Sequence, residues 1–302
     1  MKLLKNIQEL LQVTYKRVSE INIGLYGAAI AFYAIFSTVP LLIIIIWLVS
    51  IFLGSELGQA ELIKWLSSIA GPNLTEPIQG MIRSSTENMT GFWSSVIASV
   101  VLIFGATKLL SQVKYTLNRI WGIENPKIGV VRYFLWDRFK GLLFVGSLSL
   151  LFILGLASES VLHVMDQVLM PLFGRDDLFL IQLGSRLTNI VLAFTFFTAL
   201  FKFLPDIEAR FRDIAVGALV TTILVLVGKA LVDWYLSASA LQPVYKAAGS
   251  FVIYLIWIYY NVQVMLIGAI FTQVFTQRFG RRIRPYWNAS LRSDWYSGDK
   301  YH

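Results

Sequence analysis

Long uncharged apolar stretches dominate the hydrophobic pattern of the 302-residue chain. A membrane-spanning helix needs roughly 20 predominantly apolar residues. The stretches here are continuous rather than alternating with polar positions, which favours helices over the strands of a membrane barrel. The clearest of them, AAIAFYAIFSTVPLLIIIIWLVSIFL, is residues 28–53. The pattern predicts six spans, at about residues 28–53, 91–110, 141–162, 186–203, 214–235 and 249–275.

The basic residues between these stretches give an independent test of the six-span prediction. With the N-terminus inside, the inside segments hold 20 of the 26 Lys and Arg residues, and the outside segments hold the other 6. Cytoplasmic loops carry such an excess of Lys and Arg. We therefore expect an all-α polytopic membrane protein, a bundle of six transmembrane helices in a single integral membrane domain over residues 1–302, with both termini cytoplasmic.

Two amphipathic segments and a basic tail lie between or beyond the predicted spans. Residues 1–20 place apolar side chains at helical spacing, which predicts an interfacial helix on the cytoplasmic face. Residues 108–125 repeat this pattern and predict a cytoplasmic elbow helix, with Lys114 and Arg119 away from its apolar side. Residues 278–302 are predicted to form a cytoplasmic tail.

The composition narrows the classes of protein and of chemistry. Hydrophobic residues make up 56% of the chain and charged residues only 15%, against about 25% in soluble domains. The net charge of +8 resides mainly in short inside loops, where topology and anionic lipid headgroups account for it, so nucleic acid is not an expected partner. The chain has no cysteine, two histidines and none of the common catalytic motifs. We therefore predict no enzyme, no metal site and no cofactor.

A proline interrupts the first predicted span. Pro40 removes a helix hydrogen bond and frees the carbonyl of Phe36, close to Ser37. One interpretation is a kink that presents backbone carbonyls to a polar path. The other is a packing kink in which Ser37 or Thr38 satisfies the freed group.

Two ionisable residues lie near the outer end of the fifth predicted span. Lys229 and Asp233 are four residues apart and so share a helix face. Ionisable residues at membrane depth are functional candidates by default. The alternative is an interfacial lysine with a local partner, whose ammonium group reaches the headgroups.

The sixth predicted span is unusually polar. Asn261 and Gln263 are costly facing lipid, so we expect them to face the bundle or a cavity. Hydrogen bonding between helices and a substrate path are both open interpretations. The polar and aromatic residues of this span are Tyr254, Trp257, Tyr259, Tyr260, Asn261, Gln263, Thr272 and Gln273.

The segment LPDIEARFRD, residues 204–213, joins the fourth and fifth predicted spans on the cytoplasmic side. It crowds acids and arginines into ten positions. A cytoplasmic gate is one interpretation, and a solvated turn with ion pairs is the other. The candidate gate residues are Asp206, Arg210, Arg212 and Asp213.

Several segments of the chain match a known family in their order and spacing. They are AAIAFYAIFSTVPLL (28–42), LNRIWG (117–122), FLPDIEARFRDIAVGA (203–218), Gly228-Lys229 with Tyr235, Tyr245, Gly249, LIWIYY (255–260) and Gly268-Ala269. Together they make residues 20–278 similar to the YihY/BrkB family of bacterial inner-membrane proteins, once labelled ribonuclease BN.

The resemblance implies six spans with both termini inside and a transporter or permease. Family members usually carry an acid where this chain has Ile270, so the chain lacks that group for any ion or proton coupling. Where members often have Tyr-Gly, this chain has Tyr245-Lys246.

The leading hypothesis is an inner-membrane transporter or permease for a small solute, an ion or a lipid-like molecule, with a path between spans one, five and six. The rival hypothesis is a membrane scaffold for envelope or lipid organisation, and a membrane-bound hydrolase ranks third. We expect the bilayer and anionic lipid headgroups as partners and leave a homo-oligomer open. The candidate path residues are Ser37, Pro40, Lys229, Asp233, Tyr260, Asn261 and Gln263.

Overall fold

A computed structural model describes residues 2–37, 63, 79, 105, 108–124, 147, 150, 155, 178–238, 241–280, 284–285 and 290–291. This part of the chain is mostly helical, as the sequence predicts, with four two-residue strands between and after the helices. The elements are α1 (Lys2–Ile21), α2 (Ile23–Ser37), α3 (residues 108–120), β1 (Ile123–Glu124), α4 (Leu178–Phe203), β2 (Ile207–Glu208), α5 (Phe211–Ala238), α6 (Leu241–Phe279), β3 (Arg284–Pro285) and β4 (Ser290–Leu291).

Within the described residues, three helices are long and apolar enough to cross a membrane. They contain the segments Arg186–Phe203, Phe211–Leu231 and Tyr254–Phe279. A fourth span results if α1 and α2, which meet at a bend of 67°, form one broken span. Most of the predicted spans 91–110 and 141–162, and the first span beyond Ser37, lie outside the described residues.

The bend between α1 and α2 is centred on Asn22. This residue has φ of 53°, in the left-handed region that ends helices and that asparagine tolerates better than most residues. Before the bend, α1 buries Leu10, whereas Leu11, another of the apolar positions from which the sequence predicts this helix, is exposed. The buried side of α1 packs against α6.

Helices α4, α5 and α6 pack in sequence, with α5 in contact with both neighbours. Small residues bring α5 and α6 together. Gly217 of α5 lies against Thr272, and Gly228 lies against Tyr260. Since the α5 positions rise as the α6 positions fall, the two helices are antiparallel. Such small-residue contacts let helix backbones approach closely in a membrane.

The chain after α6 folds back onto two earlier segments. β3 pairs antiparallel with β2, and β4 pairs antiparallel with β1. These pairs tie residues 284–285 to the loop between α4 and α5, and residues 290–291 to the segment after α3. We call the end of the helices that carries residues 204–210, the last turn of α6 and these strand pairs the basal end.

Candidate functional site

A buried polar network connects α3 to the loop between α4 and α5 at the basal end. The ammonium of Lys114 lies 2.9 Å from Oδ2 of Asp206, and the two side chains are 7% and 1% exposed. The side chain amide of Asn118 donates to the same oxygen over 3.1 Å. In return the backbone N–H of Asp206 donates to Oδ1 of Asn118 over 2.9 Å. The network therefore fixes both the side chain and the backbone of the loop.

The position of Lys114 differs from the sequence expectation. The pattern placed Lys114 away from the apolar side of the elbow helix, whereas the structure buries it on the side that carries Leu117 and Trp121. A buried ammonium is tolerated when it is paired and hydrogen-bonded. The carboxylate of Asp206 supplies that pairing from 92 positions along the chain, beyond the reach of a local pattern.

The end of α3 shapes this network. Gly122 has φ of 67°, and its N–H donates to the carbonyl of Arg119 over 3.1 Å. A glycine in the left-handed region is the usual way to end a helix, because it has no Cβ to clash. The cap lets the chain turn into β1 directly after Trp121, whose side chain is fully buried.

The four candidate gate residues do not form one cluster. Asp206 faces α3, whereas Arg210 and Arg212 are exposed. Oδ2 of Asp213 is buried without a hydrogen-bond partner among the described residues, and it lies where a Cβ at Gly280 would be. The loop gains a further internal contact from Lys202, whose ammonium donates to the carbonyl of Ala209 over 2.5 Å.

The candidate path residues of α6 contact backbone carbonyls. The hydroxyl of Tyr260 donates to the carbonyl of Leu224 in α5 over 3.5 Å. The amide of Gln263 donates to the carbonyl of Ile23 over 3.3 Å and thereby joins α6 to α2. The amide of Asn261, in contrast, donates within α6, over 2.8 Å to Trp257.

The remaining path residues belong to α2 and α5. Ser37 is buried, donates to the carbonyl of Ala34 over 3.2 Å, and lies beside Gly105. Lys229 is half-buried on α5, next to the glycine that receives Tyr260. Pro40 lies outside the described residues, and of Asp233 only the helical backbone is described.

Gln273 is a buried polar residue that the sequence analysis named but did not select. Its side chain is fully buried, and neither amide atom has a hydrogen-bond partner among the described residues. It shares a helix face with Leu266, Ala269 and Ile270, each at most 1% exposed. The sequence did contain a signal: Gln273 follows Ile270, Ala269 and Leu266 by three, four and seven residues. This spacing puts its amide on an apolar helix face.

A metal site has no support in the described part of the chain. No group of three or more His, Cys, Asp or Glu side chains there lies close enough together to hold an ion.

Comparison with known proteins places the chain among membrane proteins. A family model described as Virulence factor BrkB matches residues 14–290. A UPF0761 membrane protein of Alcanivorax borkumensis is 28% identical over 252 residues, which are 80% of this chain and 54% of the relative. One of Stenotrophomonas maltophilia is 25% identical over 245 residues, 80% of this chain and 55% of the relative. One of Mannheimia succiniciproducens is 24% identical over 270 residues, 88% of each chain.

The chain thus spans about half the length of the first two relatives and most of the third. None of these names states an enzymatic activity. No solved structure matches the chain.

Proposed function

The chain belongs to the BrkB family of membrane proteins, and from that premise we propose that it is a transporter or permease of the bacterial inner membrane. The cargo is a small solute, an ion or a lipid-like molecule. The proposal includes six spans, cytoplasmic termini, and a path between the first, fifth and sixth spans. The support for transport comes from polar groups inside the bundle and not from the names of the relatives.

The observation that carries this proposal is the buried amide of Gln273. Leaving a buried donor or acceptor without a partner costs about 1–3 kcal/mol. A leucine would fill a similar volume without that penalty. Polar groups held inside membrane spans characteristically mark the routes of substrates and ions. A passing cargo that both donates and accepts hydrogen bonds would satisfy the two amide atoms of Gln273 in turn.

In the proposal, the other candidate residues serve as lining and gate. Gln263 lies ten residues earlier on the same helix, about 15 Å along its axis. In the proposal, the path runs along α6 between these two glutamines. The loop that holds Asp206 closes its cytoplasmic end, because the network with Lys114 and Asn118 fixes this loop against α3.

The test is flux into proteoliposomes with amine solutes, monovalent cations and a labelled phospholipid. Gln273→Leu is compared with Gln277→Leu, the same substitution one turn further along α6 at an exposed position. We expect Gln273→Leu to lower flux roughly tenfold, the equivalent of about 1.4 kcal/mol of lost stabilisation. Its melting temperature in detergent should stay unchanged or rise, since an unpartnered polar group is removed. Gln277→Leu should keep its flux.

Flux that survives Gln273→Leu would contradict the proposal. So would flux that falls only together with the melting temperature, because the glutamine would then be needed for folding alone. The absence of any flux with folded, oriented wild-type protein would contradict transport and favour a function as a membrane scaffold.

The alternative function is a membrane scaffold that organises envelope enzymes or lipids. A specific observation favours it: the side chains of Tyr260 and Gln263 donate to backbone carbonyls of neighbouring helices. Donors engaged in this way hold helices together and are not offered to a cargo. In that case the exposed sides of α1 and α3 are the working surfaces.

A further inference from the structure

Each of the three candidate spans ends in an exposed phenylalanine at the basal end. Phe203 ends the span in α4, Phe211 begins that in α5, and Phe279 ends that in α6. These side chains are 65%, 61% and 49% exposed. Each of these phenylalanines is next to a lysine or an arginine in the sequence, and basic side chains beside the ends of apolar spans characteristically reach the level of the lipid headgroups. The basal end therefore has the character of a membrane interface.

Arg212 begins an exposed apolar stripe on α5. The guanidinium is exposed, and steps of four, seven and eleven residues lead from it to Val216, Leu219 and Ile223, which are also exposed. These steps keep to one helix face. From Arg212 to Ile223 the helix rises about 16 Å, close to the hydrocarbon depth of one leaflet, about 15 Å. A single face thus offers a cation at headgroup level and an apolar surface beneath it.

Arg210 and Arg212 differ from three other basic residues at this end. Lys114 is paired with Asp206, Lys202 with the carbonyl of Ala209, and Arg278 with Glu9. Neither the Arg210 nor the Arg212 guanidinium forms a hydrogen bond or an ion pair with the part of the chain that the structure describes.

Among the described residues, the neighbouring acids form no ion pair with these arginines. Glu208 is exposed and stands opposite Arg284 in the pair of β2 with β3. The Oδ2 atom of Asp213 is buried against Gly280, and so points away from the surface. Two cationic groups are therefore left facing outward at the level of the headgroups.

We propose that Arg210 and Arg212 bind the phosphate of an anionic phospholipid whose acyl chain lies along the α5 stripe. Guanidinium groups match phosphate oxygens in geometry and charge. The stripe selects a lipid over a free phosphate ion, because only a lipid contributes apolar surface that covers Val216, Leu219 and Ile223. The inference needs α5 to span the membrane but does not depend on the proposed transport.

The test is lipid binding by the full chain, purified in a neutral detergent and observed by native mass spectrometry. Dioleoyl phosphatidylglycerol is titrated against dioleoyl phosphatidylcholine. We expect the wild type to prefer phosphatidylglycerol. Arg212→Gln should weaken that binding roughly fivefold, and the double variant with Arg210→Gln roughly 25-fold, as expected for two basic residues at an anionic surface.

The matched control is Arg284→Gln, which removes an exposed arginine on β3 and leaves α5 unchanged. It should bind phosphatidylglycerol like the wild type. Since Arg210 and Arg212 are both exposed, their variants should keep the wild-type melting temperature in the absence of lipid. If the double variant fails to fold, phosphatidylglycerol binding by Arg212→Gln alone is compared with that of the wild type.

Four results would overturn the proposal. They are equal binding of the two lipids, an equal loss in Arg284→Gln, and displacement of the lipid by millimolar inorganic phosphate, which would indicate a site for the free ion. The fourth is a stable dimer that covers the α5 stripe, which would make a second copy of the chain the occupant. The transport proposal is measured by flux through Gln273 variants, so either proposal can fail without the other.

Discussion

Thr272 of α6 packs directly against Gly217 of α5, so closely that a methyl group on the glycine would overlap the threonine side chain. The inverse contact, Thr221 of α5 against Gly268 of α6, lies one turn further along. Each threonine also donates to the carbonyl of the glycine four residues before it, over 2.8 Å in α5 and 2.6 Å in α6. The two helices thus carry the same Gly-x-x-x-Thr arrangement and interlock through it.

Gly217→Ala should therefore destabilise the protein although alanine favours helices. Forcing a methyl group into a closely packed contact costs about 1–3 kcal/mol, which exceeds the gain of about 1 kcal/mol in helix propensity. The melting temperature in detergent should fall. Gly24→Ala is the control, because its added methyl would lie 3.7 Å from the hydroxyl of Tyr259, an ordinary contact. Equal melting temperatures for the two variants would show that the contact is looser than described.

The interlocking of α5 and α6 illustrates what the sequence could and could not predict. Apolar stretches bounded by charge predicted helices over 186–203, 214–235 and 249–275, and the structure has helices at Leu178–Phe203, Phe211–Ala238 and Leu241–Phe279. A bilayer leaves few other ways to satisfy the backbone, so composition alone carries that information. Which residues of one helix meet which of another depends on packing, and no local pattern contains it.

The buried network at the basal end shows the same limit. The LPDIEARFRD segment stood out by its charges, yet charge alone did not separate Asp206, which is buried, from Glu208, which is exposed. The partners of Asp206 are on α3, 88 and 92 positions away. Gln273 was not selected for a related reason: that its amide has no hydrogen-bond partner among the described residues is a property of the packed helices and not of the sequence around it.

Asp206→Asn should lower the stability far more than Glu208→Gln. The first substitution leaves the buried ammonium of Lys114 without its counter-charge, and breaking a buried pair in this way costs about 3–5 kcal/mol. The second changes an exposed carboxylate, for which we expect less than about 0.5 kcal/mol. Thermal unfolding in detergent measures both. Replacing Lys114 by Met together with Asp206 by Leu should recover part of the loss, and a double variant as unstable as Asp206→Asn would contradict this explanation.

Gly122→Ala should destabilise the end of α3 because of its backbone conformation. A residue with a Cβ at φ of 67° loses about 1–2 kcal/mol of folding free energy. Asparagine tolerates this conformation better than alanine does. We therefore expect the order of melting temperatures to be wild type, then Gly122→Asn, then Gly122→Ala. Trp121 reports on the same site, since its buried indole should become more accessible to a fluorescence quencher in the alanine variant. An alanine variant as stable as the asparagine variant would mean that the left-handed turn is not kept.

The two ion pairs of the basal end should respond differently to salt. Arg278 of α6 pairs with Glu9 of α1, and both side chains are substantially accessible to solvent. An exposed ion pair contributes about 0.2–1 kcal/mol to the free energy of unfolding. At 1 M salt the attraction between exposed charges is screened beyond about 3 Å. The fall in melting temperature caused by Glu9→Gln should therefore be small at low salt and vanish at about 1 M. The larger fall caused by Asp206→Asn should persist at about 1 M salt, because buried charges are screened much less. If salt removed the effect of Asp206→Asn as well, the network of Lys114, Asn118 and Asp206 would be open to solvent.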